Sequence, residues 1–561
     1  MSWFNIKKRV IMNLVKYIVM VFVMLGGREL YRYIIKDKKL YALYAILLIL
    51  SSITSVLFAF VLSEIFNCAE EKNVERLLTV LFFGILFLTF SVLFGYGYGV
   101  AKNVLLCNAR QELKKDLFQK ILHKNVLEFE EKSIGEYMNE LQNNLNLYEN
   151  LYFKNILQIP MVAFSFVVAV IVCVYISPIM LLVILVLGLL VSVMVKKLGK
   201  FLERTTAVYT KQSAVYASKI KDDFQGHRTI CAYHLYEKII EKHHQANKMQ
   251  EESKKKSENA RTLFLSLNEL AGLLSTIFIM AIAAFFSIRG DFSIGIVMAF
   301  GQLSGKIISP IMTASDTWVQ FQSAKALTEK YNSILQNDKI AECRVKKQVM
   351  NGDIELQDVC FAWGKNRILD KFSERFEQGK KYLIVGESGK GKSTLLYIIA
   401  GLYQVEEGEV LISGTSLSEA DCVSLNRQIA LVSQDVFLFN ESIRNNITLF
   451  DNCSEEKLQA VIKQCGLESM IRELPEGVDT IIKENGSNFS GGEKQRINLA
   501  RALIKDSPII LLDEVTANLD FATADFIEKM IVSLEGKTII SISHKMSKEL
   551  EKLYDKTICL F

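Results

Sequence analysis

The chain has 561 residues, of which half are hydrophobic and only five are proline, and this length is too great for one ordinary domain. Its mean hydropathy of +0.22 is high for a soluble protein because long apolar runs fill the first three fifths of the sequence. The net charge of +5 is modest and sits mostly between those runs, which argues against a nucleic acid partner. Ten cysteines without a C-x-x-C pair are expected to be free thiols.

The first 40 residues contain a short apolar stretch, residues 18–25, with basic residues on both sides. It is short for a bilayer span, and symmetric basic flanks are unfavourable for one. We expect residues 1–40 to form an elbow segment with a helix lying in the membrane interface on the cytoplasmic face. A cleaved signal peptide is the alternative, although no A-x-A-like cleavage site follows. Whether residues 10–26 span the membrane or lie on it stays open.

Six later segments are apolar enough to cross a bilayer, which needs about 20 such residues each. They are residues 41–66, 77–101, 156–176, 178–195, 262–287 and 292–312.

Two long polar links, residues 102–154 and 196–261, follow the second and fourth of these segments and carry most of the lysine and arginine. The positive-inside rule places both links in the cytoplasm. Their helical pattern predicts membrane helices that continue into the cytosol and turn around near residues 123–133 and 209–221. The alternative is that the links are only charged, solvated helices.

Two charges, Glu269 and Lys306, fall inside the fifth and sixth apolar segments. An unpaired charge in the bilayer costs at least about 2.5–3.5 kcal/mol. Two hypotheses are equally supported: the two residues face a central cavity and pair with each other or with substrate, or they form a structural pair between adjacent helices. Asp316 is nearer the cytoplasmic end and is expected to be solvated.

A polar linker, residues 336–349, separates a membrane domain of residues 41–335 from a domain of residues 350–561 with strand and helix alternation. The predicted fold class is an α-helical six-span membrane domain plus an α/β P-loop NTPase domain.

A complete G-x-x-x-x-G-K-[ST] loop runs from Gly386 to Thr394 between an apolar strand pattern and a helix pattern. Such a loop wraps backbone N–H groups around phosphates at a helix N-terminus, while its lysine reaches the β- and γ-phosphates and its hydroxyl binds Mg²⁺. We therefore expect ATP and Mg²⁺ as cofactors, bound by Gly386, Ser388, Gly389, Gly391, Lys392, Ser393 and Thr394.

A second apolar strand, residues 509–512, ends in the acids Asp513 and Glu514. Parallel sheets bind ligands at strand C-termini. Asp513 can hold Mg²⁺ there, and Glu514 can accept a proton from the attacking water.

A third segment, Ser490, Gly491 and Gly492, precedes a helical run and predicts another anion site at a helix N-terminus. A single ATP needs only one phosphate loop, so we interpret this segment as a cap on nucleotide bound by another copy of the domain. An ordinary glycine turn is the alternative.

These residues resemble those of ATP-binding cassette (ABC) transporters of the exporter type, in which membrane and nucleotide domains are fused. Ser490-Gly-Gly-Glu resembles the family signature, with Phe489 and Glu493 as mild departures. The likeness extends over most of the C-terminal domain; further matches are Gln434 of the Q-loop, Asp520 of the D-loop, the switch histidine His544, the adenine-stacking position Trp363, and an X-loop-like Glu484-Asn-Gly. Residues 225–230 resemble a stretch common after the second coupling helix.

The resemblance implies that Lys392 and Ser393 hold phosphate and Mg²⁺, and that Gln434 senses the γ-phosphate beside the metal. It further implies that Glu514 is the base, that His544 stabilises the transition state, and that the signature acts on the ATP of the opposite subunit.

The implied protein is a multi-pass translocase of the cell membrane, with its N-terminus and nucleotide domain in the cytoplasm and membrane lipid as a partner. Because no catalytic position is degenerate, we favour a homodimer over pairing with a related half-transporter. An importer of the same fold, a non-transporting ATPase and a regulatory subunit remain alternatives. The substrate stays open between peptide, lipid and amphipathic small molecule, although no protease domain precedes the spans.

Overall fold

The computed structural model describes residues 28–336, 347–364, 366–387, 389–483, 486–516, 519, 521–543 and 551–560, without the side chains of 28, 29, 315, 316, 319 and 521. The chain divides into two compact units. We name them the helical unit, residues 1–122 and 133–337, and the α/β unit, residues 123–132 and 338–561. All nine cysteines within the described ranges are free thiols, as predicted.

The helical unit is built from long helices joined by short turns. In chain order, and with α4 belonging to the other unit, the helices are α1 Arg28–Ile35, α2 Lys38–Glu70, α3 Val74–Leu122, α4 Val126–Glu130, α5 Ile134–Asn139, α6 Leu145–Tyr148, α7 Lys154–Ile176, α8 Pro178–Gln225, α9 His227–Ala232, α10 Tyr236–Ile288 and α11 Ile294–Gln336. Two π-helical segments, Glu140–Asn144 and Glu149–Phe153, join α5, α6 and α7 into one rod.

The six predicted spans are confirmed, because six helices of this unit are long and apolar enough to cross a membrane. Each predicted segment lies within one helix, except that the sixth helix begins at Ile294 rather than at residue 292. The first predicted turn, residues 123–133, is confirmed and contains α4.

The second predicted turn, residues 209–221, is wrong. Those residues lie inside α8, which continues to Gln225 and ends at Gly226, and the chain reverses through α9 before α10 begins at Tyr236. Residues 225–230 therefore form the turn itself rather than a segment beyond it. The polar residues of 209–221 include no glycine or proline, so nothing in that stretch ends a helix.

The core of the helical unit near α1 is rich in tyrosine. Tyr44 and Tyr98, both buried, donate hydrogen bonds from their hydroxyls to the backbone oxygen of Leu157. That oxygen lies in the turn of α7 that precedes Pro160. The two hydroxyls therefore connect α2 and α3 to α7 at this level.

The α/β unit contains two sheets. Its strands are β1 Ile354–Trp363, β2 Asn366–Phe376, β3 Lys381–Gly386, β4 Glu407–Ile412, β5 Thr415–Ser416, β6 Ile429–Val432, β7 Ile509–Asp513, β8 Thr538–Ile542 and β9 Lys556–Leu560. One sheet has the order β2-β1-β4-β5 with antiparallel pairs, and the other has the order β6-β7-β8-β3-β9 with parallel pairs.

Helices cover these sheets. They are α12 Lys392–Ile399, α13 Cys422–Gln428, α14 Ile443–Thr448, α15 Glu455–Gln464, α16 Glu468–Glu473, α17 Gly491–Lys505 and α18 Phe521–Val532. Because strands β3 and β7 are buried on both faces, they are almost wholly apolar until their C-terminal residues. Their C-termini therefore bring the phosphate loop and the acids to one edge.

Helix α4 packs on the α/β unit although the chain reaches it from α3. Val126 and Leu127 pack against the apolar core that includes Leu396 and Tyr403. Burial, with a smaller effect from the Glu130 carboxylate, raises the pKa of Tyr403. The ten residues 123–132 therefore belong structurally to this unit.

Candidate nucleotide site

The phosphate loop connects β3 to α12 as the sequence predicts. Gly389 and Gly391 have φ values of +83° and +82°, a backbone conformation that costs other residues about 1–2 kcal/mol. A Cβ on Gly391 would also lie 2.3 Å from Cγ2 of Ile368, whereas one on Gly389 would meet nothing within 4 Å. The second glycine is thus required for both conformation and space.

Lys392 is held in place at the start of α12. Its side chain is buried, and its Nζ donates hydrogen bonds to the backbone oxygens of Gly386 at 2.9 Å and Glu387 at 2.8 Å. These carbonyls fix the ammonium group above the loop, where bound phosphates would find it already oriented.

Ser393 and Asp513 form a pair of oxygen donors at the meeting point of α12 and β7. The serine hydroxyl donates to Oδ1 of Asp513 at 2.9 Å, and Asp513 is 1 % exposed. Burial raises the pKa of Asp513, and the neighbouring Glu514 raises it further, while hydrogen bonds from Ser393 and Tyr397 oppose that shift. A buried carboxylate beside a hydroxyl is a set of hard ligands that suits Mg²⁺.

Glu514 follows Asp513 with an unusual backbone. Its φ of +47° lies in the left-handed region, and its N–H donates to the oxygen of Ile542 on β8 at 3.1 Å. Strained residues of this kind concentrate at functional sites. The turn directs the carboxylate to Gln434, whose Nε2 donates to Oε2 of Glu514 at 2.9 Å. The sequence predicts both residues but not the backbone strain.

A cleft of about 610 Å³ brings together eight of the thirteen predicted site residues that the structure describes. It is lined by Trp363, Ile368, Gly389, Gly391, Lys392, Ser393, Thr394, Gln434 and Glu514. Trp363 is 44 % exposed and its ring makes edge contacts with Phe361 and Tyr403 at 5.8 and 5.6 Å. Sequence reasoning missed Ile368 in the lining and Tyr397 beside Asp513, because an isoleucine on a strand and a tyrosine on a helix carry no motif.

The signature segment lies elsewhere. Ser490 begins α17 by accepting a hydrogen bond from the backbone N–H of Glu493, whose carboxylate in turn accepts from the Ser490 N–H, a complete capping box. Ser490 and Gly491 are exposed, and none of the three signature residues, Ser490 to Gly492, lines the cleft. The predicted hydroxyl and glycines at a helix N-terminus are confirmed. Ser388, Asp520, His544, Glu484 and Asn485 lie outside the described residues, as do the predicted interfacial helix and the side chain of Asp316.

The two predicted membrane charges occupy different surroundings. Glu269 on α10 is exposed and Lys306 on α11 is half-buried. Within the described ranges neither side chain makes an ion pair, so the two charges are not paired with each other within this chain.

Comparison with known proteins agrees with this architecture. The family model for the ABC transporter transmembrane region matches residues 41–311, and the ABC transporter model matches residues 369–517. Together the two matches take in about three quarters of the chain. A solved bacterial Atm1-family ABC exporter with ATP bound superposes with a TM-score of 0.78 at 20 % identity, covering 93 % of each chain, and so shows the fold.

Similar sequences point the same way. The ABC transporter ATP-binding protein YfiC of Bacillus subtilis, itself uncharacterized, is 26 % identical over 93 % of this chain and 87 % of its own length. The toxin RTX-I translocation ATP-binding protein of Actinobacillus pleuropneumoniae and the alpha-hemolysin translocation ATP-binding protein HlyB of Escherichia coli are each 37 % identical over 265 residues. That match is 46 % of this chain but only 38 % of theirs.

The fold and the cleft define an ATPase fused to a multi-pass membrane domain. The chain belongs to the ABC transporter family and is a half-transporter of the exporter type. As a member of this family it couples ATP hydrolysis to transport across a membrane.

Proposed function

We propose that two copies of this chain form a homodimeric exporter with two shared ATP sites. Its parts are the domains predicted from the sequence, a membrane domain of residues 41–335 and a nucleotide-binding domain of residues 350–561. Each ATP lies between the phosphate loop of one copy and Ser490 to Gly492 of the other. The observation that carries this proposal is that Ser490 and Gly491 are exposed and that no residue of the signature segment lines the cleft of its own chain. A two-fold dimer repeats the same contact twice and so completes both sites.

Lys392 and the backbone N–H groups of the loop bind the β- and γ-phosphates, and Trp363 packs against the base. Ser393 and Asp513, with the amide oxygen of Gln434, are the residues that fit a Mg²⁺ ion. The metal, when bound, neutralises charge on the phosphates.

Glu514 orients the attacking water and accepts its proton, and Gln434 holds the Glu514 carboxylate in place by the 2.9 Å hydrogen bond. The resemblance to the family assigns His544 to stabilising the transition state and Asp520 to the contact between the copies. Both α4 and α9 stand at cytoplasmic turns in this arrangement, because the polar ends of the helices carry most of the lysine and arginine.

The transport path follows a polar face of α11. Gln302, Gly305, Lys306, Ser309 and Thr313 recur at helical spacing; Lys306 is half-buried and the other four are exposed. Lys306 lies two residues past the middle of the apolar stretch Ile294–Ala314.

On the opposite side of α11, the apolar side chains of Phe300, Leu303 and Ile307 are fully buried. The exposed face of α3 is also apolar, as expected of a surface against lipid. A polar face at this depth is too costly to expose to lipid, so it faces water or the second copy.

The exported substrate is an amphipathic molecule, peptide or lipid that presents charge to Lys306 on α11 and Glu269 on α10, since those two helices pack side by side. The toxin-translocation relatives match over too little of their length to define the substrate further. A screen for ATPase stimulation in lipid nanodiscs, with Lys306→Ala and Glu269→Ala against Leu86→Ala on the apolar face of α3, tests this path. Selective loss of stimulation in the first two variants is expected, and equal behaviour of all three would contradict it.

The direct test of the ATPase assignment is Glu514→Gln. Loss of a general base lowers turnover by about 10²–10⁴-fold while leaving ATP binding intact. ATP hydrolysis and ATP affinity of the purified dimer are the two measurements. Unchanged turnover in the variant would refute the assigned role.

A further inference from the structure

A crevice of about 630 Å³ opens where α1, the start of α2 and α3 meet, and its lining shares no residue with the nucleotide cleft or with the polar face of α11. Its polar lining comes mainly from Lys36, Lys38 and Lys39 on one side and from Asn108, Gln111 and Glu112 on the other. We name it the lysine crevice.

The lysine crevice lies at the edge of the membrane. Lys38 is the first residue of α2, just before the apolar span, and the apolar part of α3 ends at Ala101. At 1.5 Å per residue, Leu105 and Asn108 stand about 6 and 10 Å beyond that end. A lipid headgroup layer is about 5–8 Å thick, so the crevice extends from headgroup depth at Leu105 to the aqueous boundary of that layer near Asn108. This placement holds whichever side of the membrane is the cytoplasm.

The charges of the crevice leave two cations available. Lys36 pairs with Glu112 at 2.6 Å, and Asp37 accepts hydrogen bonds from the backbone N–H groups of Lys39 and Leu40 as the cap of α2. The ammonium groups of Lys38 and Lys39 are exposed and make no ion pair within the part of the chain that the structure describes. The crevice therefore carries two carboxylates that are already engaged and two ammonium groups that are not.

One face of α3 changes character at this level. Leu93, Val100, Val104, Asn108 and Gln111 are exposed and follow one another at spacings that keep them on one side of a helix. The first three are apolar and lie on the membrane side, whereas the last two are amides without a side-chain hydrogen bond within the described ranges. A surface that turns from apolar to polar in this way matches a molecule with an acyl chain and a polar head.

We propose that the lysine crevice binds the headgroup of an anionic glycerophospholipid. The phosphate contacts Lys38 and Lys39, the headgroup hydroxyls hydrogen-bond to Asn108 and Gln111, and an acyl chain lies along Val104 and Val100. Basic pockets between membrane helices at the bilayer surface are suited to such headgroups. The apolar continuation along α3 favours a lipid over a soluble phosphate, which offers nothing to those residues.

The experiment measures lipid binding to the purified full-length protein by native mass spectrometry. Phosphatidylglycerol and phosphatidylcholine of the same acyl chains are titrated against wild type, Lys38→Gln/Lys39→Gln and the control Lys196→Gln/Lys197→Gln. The control removes two adjacent exposed lysines at the polar end of the apolar part of α8, outside the crevice. Thermal unfolding verifies that each variant is folded.

We expect the crevice variant to bind phosphatidylglycerol about 10- to 30-fold more weakly, since each lysine near an anionic surface contributes about a factor of five. Phosphatidylcholine binding stays unchanged, and the control variant stays within about twofold of wild type. Equal losses in the two lysine variants would overturn the proposal, because they would reduce it to general attraction by surface charge.

Two further arms separate the alternatives. Asn108→Asp/Gln111→Glu keeps every lysine but adds negative charge. It is expected to weaken phosphatidylglycerol binding about tenfold. An unchanged affinity would show that the two amides do not contact the headgroup. Glycerol 3-phosphate in large excess is expected to leave the bound lipid in place. Displacement of the lipid by this soluble headgroup would show that the crevice binds free phosphates, and would overturn the proposal of a lipid site.

Discussion

The α/β unit and the helical unit treat their charged side chains in opposite ways. In the α/β unit Lys392 and Asp513 are buried and held by hydrogen bonds of 2.8–2.9 Å before any ligand arrives. In the helical unit Glu269 and Lys306 lie in membrane helices without an ion pair among the described residues. The phosphates of ATP are the same in every cycle, and the groups that bind them are already positioned within one chain. In the proposed export path, the charges of the membrane helices take their partners from outside the chain.

The largest effect is expected on ATPase activity, at the nucleotide cleft of the α/β unit. Lys392→Ala removes the buried ammonium group and is expected to lower ATPase activity at least about 100-fold, because charge on the phosphates then goes unopposed. Lys390→Ala is the matched control, since Lys390 lies in the same loop but is exposed. Steady-state ATP hydrolysis measures both. Similar losses would mean that the loop depends on general positive charge and not on one fixed group.

The two loop glycines give the next largest effect. Gly389→Ala and Gly391→Ala both force a side chain into a left-handed backbone, but only the second places a Cβ 2.3 Å from Ile368. We expect Gly391→Ala to weaken ATP binding about tenfold more than Gly389→Ala. Equilibrium binding of a fluorescent ATP analogue measures the difference. If the two variants bind equally, close packing against Ile368 does not shape the loop.

Asp513 links the preorganised site to pH. Because burial raises its pKa, the ionised carboxylate costs the fold stability once the pH exceeds the raised pKa, and that cost is absent below the ordinary aspartate pKa. Asp513→Asn is therefore expected to raise the nucleotide-free unfolding temperature at neutral pH, with a gain that shrinks as the pH falls. It should also abolish Mg²⁺-dependent hydrolysis. Thermal unfolding across pH measures the gain, and a gain independent of pH would contradict this cause.

The smallest expected effect is on the stability of the helical unit. It tests whether buried tyrosine hydroxyls in this unit are also held by fixed hydrogen bonds. Tyr44→Phe removes one of two hydroxyls that serve the Leu157 carbonyl and is expected to cost about 1 kcal/mol of stability. Adding Tyr98→Phe leaves that carbonyl without either donor, so the double variant should lose more than the sum. Tyr96→Phe is the control because Tyr96 is 72 % exposed. Thermal unfolding of the reconstituted protein decides between additive and larger losses.

Sequence alone predicts the α/β unit further than the helical unit, for a physical reason. Binding of phosphate and Mg²⁺ requires particular residues at particular spacings, so Lys392, Ser393 and Asp513 can be identified from the sequence. The left-handed backbone of Glu514 and the contact between Gly391 and Ile368 follow from packing across the sheets and leave no motif.

Apolar length alone predicts the six spans, but it says little about where a polar helix ends. The stretch 209–221 looks like a turn because it is polar, yet it lacks a helix-breaking residue and the helix continues to Gly226. Polar and apolar residues are interleaved along α11. Its polar face can therefore be recognised in the sequence only once the buried residues are known.

The central claim is that each ATP site is shared between two copies. Mixed dimers of Lys392→Ala and Ser490→Arg chains, separated by two affinity tags, test it through vanadate-trapped nucleotide per dimer. Either variant alone damages both sites. In the mixed dimer a shared arrangement places both lesions in one site and leaves the other intact, so about half the wild-type trapping is expected. A mixed dimer that traps no more than its parents would show that Ser490 acts within its own chain, which would contradict the account.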